Sequence, residues 1–447
     1  MQRYLIKDIL LVNEGKIVPT DVLVEGERFE KIAPRIQVKS SVTEINGQGK
    51  YLLPGVIDDQ VHFREPGYTH KATIHSESRA AIAGGVTSYM EMPNTYPPAV
   101  TLELLQQKYE IASKHSLANY SFYLGASNHH ADEILRLNTY RQEICGLKIF
   151  MGSSTGELLV DDIPTLEKIF ANCELPITTH CEDEALIRQR LQQAKAQKGD
   201  ALSAADHPWI RNEEVCYRSS SFAISLAKRY GTRLHVLHLT TADEMKLFDA
   251  LTPLAEKQIT AEVCVHHLHF TADDYARLGN LIKCNPSIKA AHHREALWQA
   301  LLDGRIDVIA TDHAPHTWEE KQQPYLQAPA GLPLVQHGLL LMLEYYQKQK
   351  ISLEQIVEKM CHHPAICFQV SERGFVREGY FADAVIVDLH DHTPVDKDHL
   401  LYKCQWSPFA SHHFPARITH TFVNGHLAYV DGRFDERQMG KRLLFHR

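Results

Sequence analysis

From about Leu53 to about Val370, eight short apolar runs alternate with stretches of helical periodicity, and nothing else in the chain restricts its fold so tightly. The strand-like runs are Gly55-Val56-Ile57-Asp58, Val86-Thr87-Ser88-Tyr89-Met90, Tyr120-Ser121-Phe122-Tyr123-Leu124, Gly146-Leu147-Lys148-Ile149-Phe150, Pro176-Ile177-Thr178-Thr179-His180, Leu234-His235-Val236-Leu237-His238, Thr260-Ala261-Glu262-Val263-Cys264 and Asp307-Val308-Ile309-Ala310-Thr311. Helical segments such as Leu102 to Lys114, Glu213 to Arg229 and His292 to Leu302 fall between them, as βα repetition requires. Eight such units predict a (β/α)8 barrel, the TIM-like α/β architecture. An open doubly wound sheet is the alternative, but no G-x-G-x-x-G follows an early strand, so dinucleotide binding has little support.

Both ends of the chain have a different texture, that of short strands broken by turns. Residues 1–53 carry Tyr4-Leu5-Ile6, Ile9-Leu10-Leu11-Val12, Asp21-Val22-Leu23-Val24-Glu25 and Phe29-Glu30-Lys31-Ile32. Residues 371–447 carry Ala384-Val385-Ile386-Val387-Asp388 and Ile418 to Val423, then an Asn424-Gly425 hairpin signal and His426 to Val430. Neither end has enough apolar residues for its own core, so the expectation is one small β-sandwich built from both termini beside a barrel over residues 54–370. Two long loops are expected, Lys195 to Pro208 and Pro315 to about Leu332; the second follows the last barrel strand, where an active-site lid would sit.

A composition of 44% hydrophobic and 23% charged residues is that of a globular protein with a large core. The net charge of −8 argues against a nucleic-acid-binding surface. No apolar run approaches the length of a membrane span, and charges interrupt the first residues where a signal peptide needs an apolar segment, so a cytoplasmic protein is expected. Nine cysteines scattered without a C-x-x-C pair fit reduced, buried thiols.

Side chains at the C-terminal ends of barrel strands converge on one pocket. There the chain places His62 after the first strand, Lys148 in the fourth, His180 ending the fifth, His238 ending the sixth and Asp312 ending the eighth. With 28 histidines in the chain, one alone proves nothing; together these groups make an N/O ligand shell suited to zinc, with manganese, iron or cobalt as alternatives. Lys148 is the odd member, since a buried ammonium repels a cation. It either loses its proton and captures carbon dioxide as a bridging carbamate, or pairs with Asp312 or Glu182. Asp312 is the candidate catalytic residue: beside a metal-activated nucleophile its carboxylate can take a proton and return it to a leaving nitrogen. Its other reading is a helix N-cap. Arg64, Asn94, Asn285 and His316 also follow barrel strands, and suit recognition of a carboxylate and a flat cyclic amide. Equally, Arg64 could pair with Glu65, and the asparagines could be turn formers beside proline.

The runs V-H-F-R-E-P-G, M-P-N-T, L-K-I-F-M, T-H-C-E-D-E, H-V-L-H-L-T-T, the Asn285-Pro286 pair and A-T-D-H-A-P-H strongly resemble dihydroorotases of the amidohydrolase superfamily, the longer-chain type related to hydantoinases and allantoinases. The resemblance covers about Pro54 to Gly338, and Trp406-Ser407-Pro408-Phe409 and Val423-Asn424-Gly425 fit as well. It implies that His62 and Asp312 hold one zinc ion, that His180 and His238 hold another, and that a carboxylated Lys148 bridges them. It implies that Arg64, Asn94, Asn285 and His316 contact the carboxylate and ring of dihydroorotate. The reaction implied is reversible ring opening to N-carbamoyl-aspartate in pyrimidine synthesis, by a homo-oligomer, dimer or tetramer. The family carries H-x-H where this chain has Gln60-Val61-His62; an amide oxygen is the weaker ligand, so Gln60 leaves the ion beside His62 less tightly held or absent. Relatives also more often carry a glutamate near Gln336. The alternatives are a hydantoinase- or allantoinase-like cyclic amidase, and a dihydroorotase-like structural subunit without metal, serving for example a transcarbamoylase.

Overall fold

The computed structural model describes residues 2–39, 41–130, 132–153 and 158–447. The expected eight parallel strands are present: Val56–Val61, Val86–Glu91, Asn119–Phe122, Leu147–Phe150, Ile177–His180, Leu234–Val236, Ile259–Cys264 and Val308–Ala310. Neighbours pair in parallel around the barrel. The third strand changes partner at Tyr123, whose amide bonds to Glu91 while Leu124–Gly125 pairs with the fourth strand. A parallel bridge between Val61 and His313 closes the ring, and the His62 amide donates to the His313 carbonyl at 2.7 Å.

The first barrel strand is buried along its whole length, although it carries Asp58, Asp59 and Gln60 in sequence. Buried polar groups need internal partners, so these three side chains constrain the barrel. Asp58 accepts from the Thr311 amide at 3.2 Å and the Thr311 hydroxyl at 2.6 Å, joining the first strand to the residue that follows the last. Burial nevertheless pushes its carboxyl up to about 7.

The two termini form one continuous nine-stranded sheet. Tyr51–Pro54 is the seam, parallel to Arg3–Asn13 on one side and antiparallel to Ala384–Asp388 on the other. A register shift between Ile6 and Ile9 divides Arg3–Asn13, so that its first half pairs Thr43–Asn46 and its second half Tyr51–Pro54. Tyr4, Ile6, Val22, Val24, Phe29, Ile386 and Phe422 form a shared apolar cluster, which neither terminus could complete alone. The hairpin signal is realised: Asn424 and Gly425 take φ of 50° and 71° between the paired Val423 and His426.

The two long loops hold more helix than expected. Where a loop was expected from Lys195, the helix Glu184–Lys198 continues, in keeping with its Ala, Gln and Lys content, before short turns lead to His207. The segment after the last strand holds a short helix, Trp318–Lys321, started by a Thr317/Glu320 capping box. Buried Lys321 fastens the rest of that segment, its Nζ donating to the carbonyls of Pro329 at 3.0 Å and Gly331 at 2.9 Å. Gly331, at φ 142°, approaches Ala314 so closely that a Cβ would lie 2.4 Å from the Ala314 carbonyl oxygen.

Candidate active site

A cavity of about 500 Å³ opens at the C-terminal end of the barrel, and all ten residues singled out from the sequence line it: Gln60, His62, Arg64, Asn94, Lys148, His180, His238, Asn285, Asp312 and His316. The strand ends bring them together although they are spread over some 250 positions of the chain. Three of them, Arg64, His238 and Asp312, have positive φ, at 69°, 38° and 48°. Such a backbone costs about 1–3 kcal/mol per residue outside glycine and persists only where surroundings enforce it. For His238 the restraint is visible, since its amide donates to Glu262 Oε1 at 2.9 Å.

On one side of the cavity, His62 Nδ1 lies 2.7 Å from Asn94 Oδ1 and its Nε2 lies 3.0 Å from Asp312 Oδ1. If Nδ1–H donates to the amide oxygen, a neutral ring turns its Nε2 lone pair toward a carboxylate, an arrangement that calls for a cation or proton between them. Burial keeps His62 below the usual imidazole range, which favours the neutral ring. Burial acts to raise Asp312, but a proton on His62 Nε2, through its hydrogen bond and charge, outweighs burial and holds the carboxyl below its usual range. Gln60 adds a second donor, its Nε2 lying 3.2 Å from the same Asp312 oxygen. The Cys264 thiol lies 3.7 Å from Gln60 Oε1, so the amide has a donor facing its oxygen and an acceptor facing its nitrogen.

Across the cavity, His180 Nδ1 and His238 Nε2 face each other at 2.9 Å. His180 Nε2 is 2.8 Å from Glu182 Oε2, which also pairs with Arg211. Donation of Nε2–H to Glu182 leaves the Nδ1 lone pair directed into the cavity, the arrangement a metal-ligating histidine requires. His238 Nδ1 is buried without a hydrogen-bond partner. Burial pushes both imidazoles below their ordinary range, and His238 well below it.

Lys148 lies between the two sides. Neither ion pair expected as its alternative forms: Asp312 is engaged by His62 and Gln60, and Glu182 by His180 and Arg211. Its Nζ lies 4.7 Å from the centre of the Phe150 ring, and burial lowers it to about 8. An amine so placed keeps an appreciable neutral fraction near physiological pH, the form that can capture carbon dioxide.

The third part of the cavity is cationic. Arg64 donates Nε–H to the Pro315 carbonyl at 3.0 Å, and its Nη2 lies 3.0 Å from His316 Nε2. His316 Nε2 also lies 3.0 Å from the Ala330 carbonyl, and its Nδ1 lies 3.0 Å from Lys71 Nζ. His316 Nε2 can accept from Arg64 or donate to Ala330 but not both, while Lys71 Nζ also pairs with Glu320 Oε1 at 2.9 Å. Burial lowers Arg64 only to about 10, which leaves it charged at neutral pH. Glu65 does not pair with Arg64; its Oε2 accepts the first amide of the helix Ile74–Ala83.

Several contributors escaped the sequence reading. His207 Nε2 lies 3.1 Å from Asn285 Oδ1 and its Nδ1 lies 2.7 Å from the Tyr325 hydroxyl, joining two loops behind Asn285. Lys71, Arg211 and Cys264 likewise carried no motif. Glu182 did: it stands two residues after His180 in T-H-C-E-D, and was read only as a possible partner of Lys148. Gln336 points elsewhere, bonding the His399 carbonyl at 2.7 Å and the Leu401 amide at 3.0 Å.

Residues 51–428 match the model of the amidohydrolase family. The dihydroorotase of Carboxydothermus hydrogenoformans is 34% identical over 425 residues, covering 94% of this chain and 96% of its own length. That of Methanosarcina acetivorans is 33% identical over 415 residues, with 90% and 87% covered, and that of Staphylococcus epidermidis 31% over 430 residues, with 96% and 99% covered. Among solved structures, the L-hydantoinase (dihydropyrimidinase) of Arthrobacter aurescens superposes with a TM-score of 0.93 at 27% identity, covering 99% of this chain and all of that one. The dihydropyrimidinase of Brevibacillus agri superposes with a TM-score of 0.89 at 22% identity over the whole of both chains, a likeness of fold.

Proposed function

The chain belongs to the amidohydrolase family, and from that premise we propose that it is a metal-dependent dihydroorotase, opening the cyclic amide of dihydroorotate to N-carbamoyl-aspartate and closing it again in pyrimidine biosynthesis. The observation that carries this choice within the family is Arg64 beside His316, both lining the same cavity as the ligand shell. A guanidinium there suits a substrate carboxylate. Simple hydantoins lack that carboxylate, so the hydantoinase reading leaves the guanidinium without a purpose. The reading as a subunit without metal leaves unexplained why Lys148, His180, His238 and Asp312 all remain around one cavity.

The donor set fits zinc: His180 and His238 on one side, His62 and Asp312 on the other, and Lys148, carboxylated, between them. When bound there, the metal supplies Lewis-acid polarisation of the ring carbonyl and an acidified water as nucleophile. The remaining work belongs to side chains. Arg64 holds the substrate carboxylate. Asn94 and Asn285 have their amide oxygens occupied by His62 and His207, which leaves their N–H groups for ring acceptors. Asp312, kept ionised by its neighbours, accepts the proton released by the nucleophile and returns it to the departing ring nitrogen. Gln60 steadies Asp312 through its N–H rather than serving as a ligand, so the ion beside His62 has one protein ligand fewer than H-x-H would provide.

The test is to purify the protein with added zinc, count its metal, and assay dihydroorotate hydrolysis and carbamoyl-aspartate cyclisation. Turnover in both directions is expected. Protein with full metal that turns over neither compound would overturn the assignment.

A further inference from the structure

Below the rim, three more ionisable groups from different barrel strands meet: Asp59 of the first, His235 of the sixth and Glu262 of the seventh. All three are buried, and one ligand atom from each lies within 4.8 Å of the others. None belongs to the shell described above. His235 Nδ1 is 2.7 Å from Thr260 Oγ1, and donation of Nδ1–H to that hydroxyl fixes the tautomer and turns Nε2 toward the carboxylates. Nε2 lies 3.1 Å from Asp59 Oδ2 and 3.6 Å from Glu262 Oε2, yet it hydrogen-bonds neither. Among the described residues, both Asp59 oxygens and Glu262 Oε2 are also buried without hydrogen-bond partners.

This many unsatisfied atoms in one interior spot demands a positive charge. Burial alone would lower His235, but the two carboxylates outweigh it and raise it. A proton on Nε2 balances one carboxylate; the other is met either by a second proton, since burial and the charge of Asp59 push the Glu262 carboxyl up to about 8, or by a metal ion. A divalent cation neutralises both carboxylates and takes the imidazole lone pair as well. The surroundings keep water out: the Phe368 ring stands edge-on to His235 at 5.3 Å, and the Tyr123 hydroxyl donates to the Asp59 carbonyl at 3.0 Å.

We propose that Asp59, His235 and Glu262 form a second, internal site for a divalent transition-metal ion, separate from the rim centre. Two carboxylates and one imidazole suit zinc, manganese or ferrous iron, and Asp59 offers two oxygens to complete the shell. An ion there ties three strands together. It also steadies the rim, because the other Glu262 oxygen accepts the amide of His238 and so holds that residue's left-handed backbone.

The experiment uses protein produced in zinc-supplemented medium and never exposed to chelator. Anomalous diffraction at the zinc edge from its crystals should show a peak between these three side chains, whatever the occupancy of the rim. Asp59→Val, which places an apolar residue in a buried strand, should lose one zinc per chain relative to wild type, and the double variant His62→Ala/His180→Ala should keep one. Absence of the internal peak from wild-type crystals would overturn the proposal, and this reading stands even if Asp59→Val fails to fold. Asp59→Val folded with the wild-type metal count would overturn it too, leaving the cluster as an imidazolium held by two carboxylates.

Discussion

The two sides of the rim present their nitrogen atoms to the cavity in different ways. Around His180 and His238 only the ring of His180 is oriented from behind, because Glu182, itself held by Arg211, takes its outer N–H, and its Nδ1 faces His238 Nε2 at 2.9 Å. Around His62 and Asp312 the groups already satisfy one another, with Gln60 and His62 both directed at one Asp312 oxygen. One side is therefore a pair of facing imidazole nitrogens with one ring oriented by a carboxylate, whereas on the other an amide N–H already engages the carboxylate. The difference teaches that replacing a ligand by an amide does more than weaken an ion's grip, since the amide N–H can stand in for the ion as the carboxylate's partner.

Asp312 is the proposed proton carrier, so Asp312→Asn should have the largest effect. Turnover is expected to fall about 10²- to 10⁴-fold, while elemental analysis still finds the ion held by His180 and His238. Near-normal turnover would remove Asp312 from its role in proton transfer.

The next effect concerns Lys148, which joins the sides. Burial lowers its amine to about 8, so the neutral, reactive form gains as pH rises and the ammonium dominates below that value. Protein stripped of metal and carbamate, then given zinc under a fixed partial pressure of carbon dioxide, should recover activity about tenfold faster per pH unit below that point and level off above it. A recovery rate that does not change with pH would contradict carbamate formation at Lys148.

Glu182→Gln tests the first side by weakening the group that orients His180. Zinc affinity measured by competition with a chromogenic chelator should drop about 10- to 100-fold, and excess zinc should restore turnover. Unchanged affinity would show that Glu182 does not orient the ligand. The smallest effect is expected for Gln60→His, which should make the other side resemble the first. Chelator should remove the more labile ion about tenfold more slowly, and identical release from both proteins would mean that Gln60 does not set the asymmetry.

The barrel was readable because its code is local: an apolar run of a few residues followed by helical spacing, repeated eight times. The rim residues were readable because a strand's C-terminal end is recognisable in one dimension, and His62, Lys148, His180, His238 and Asp312 all stand at or near such ends. Asp59, His235 and Glu262 lay in the same strands and went unremarked. Their partners are reached across the barrel interior, and separations of 176 and 27 positions follow no local pattern.

What the sequence by itself determined was which groups reach the rim and the order in which the strands bring them there, since both follow from periodicity along the chain. Tertiary structure alone decided their partnerships: that Asp312 is engaged by His62 and Glu182 by Arg211 rather than by Lys148, that Arg64 meets His316 instead of Glu65, and that Gln60 turns its nitrogen toward Asp312. The physical reason is that hydrogen bonding acts over about 3 Å and depends on direction, whereas sequence position tells only which strand a side chain leaves and from which face.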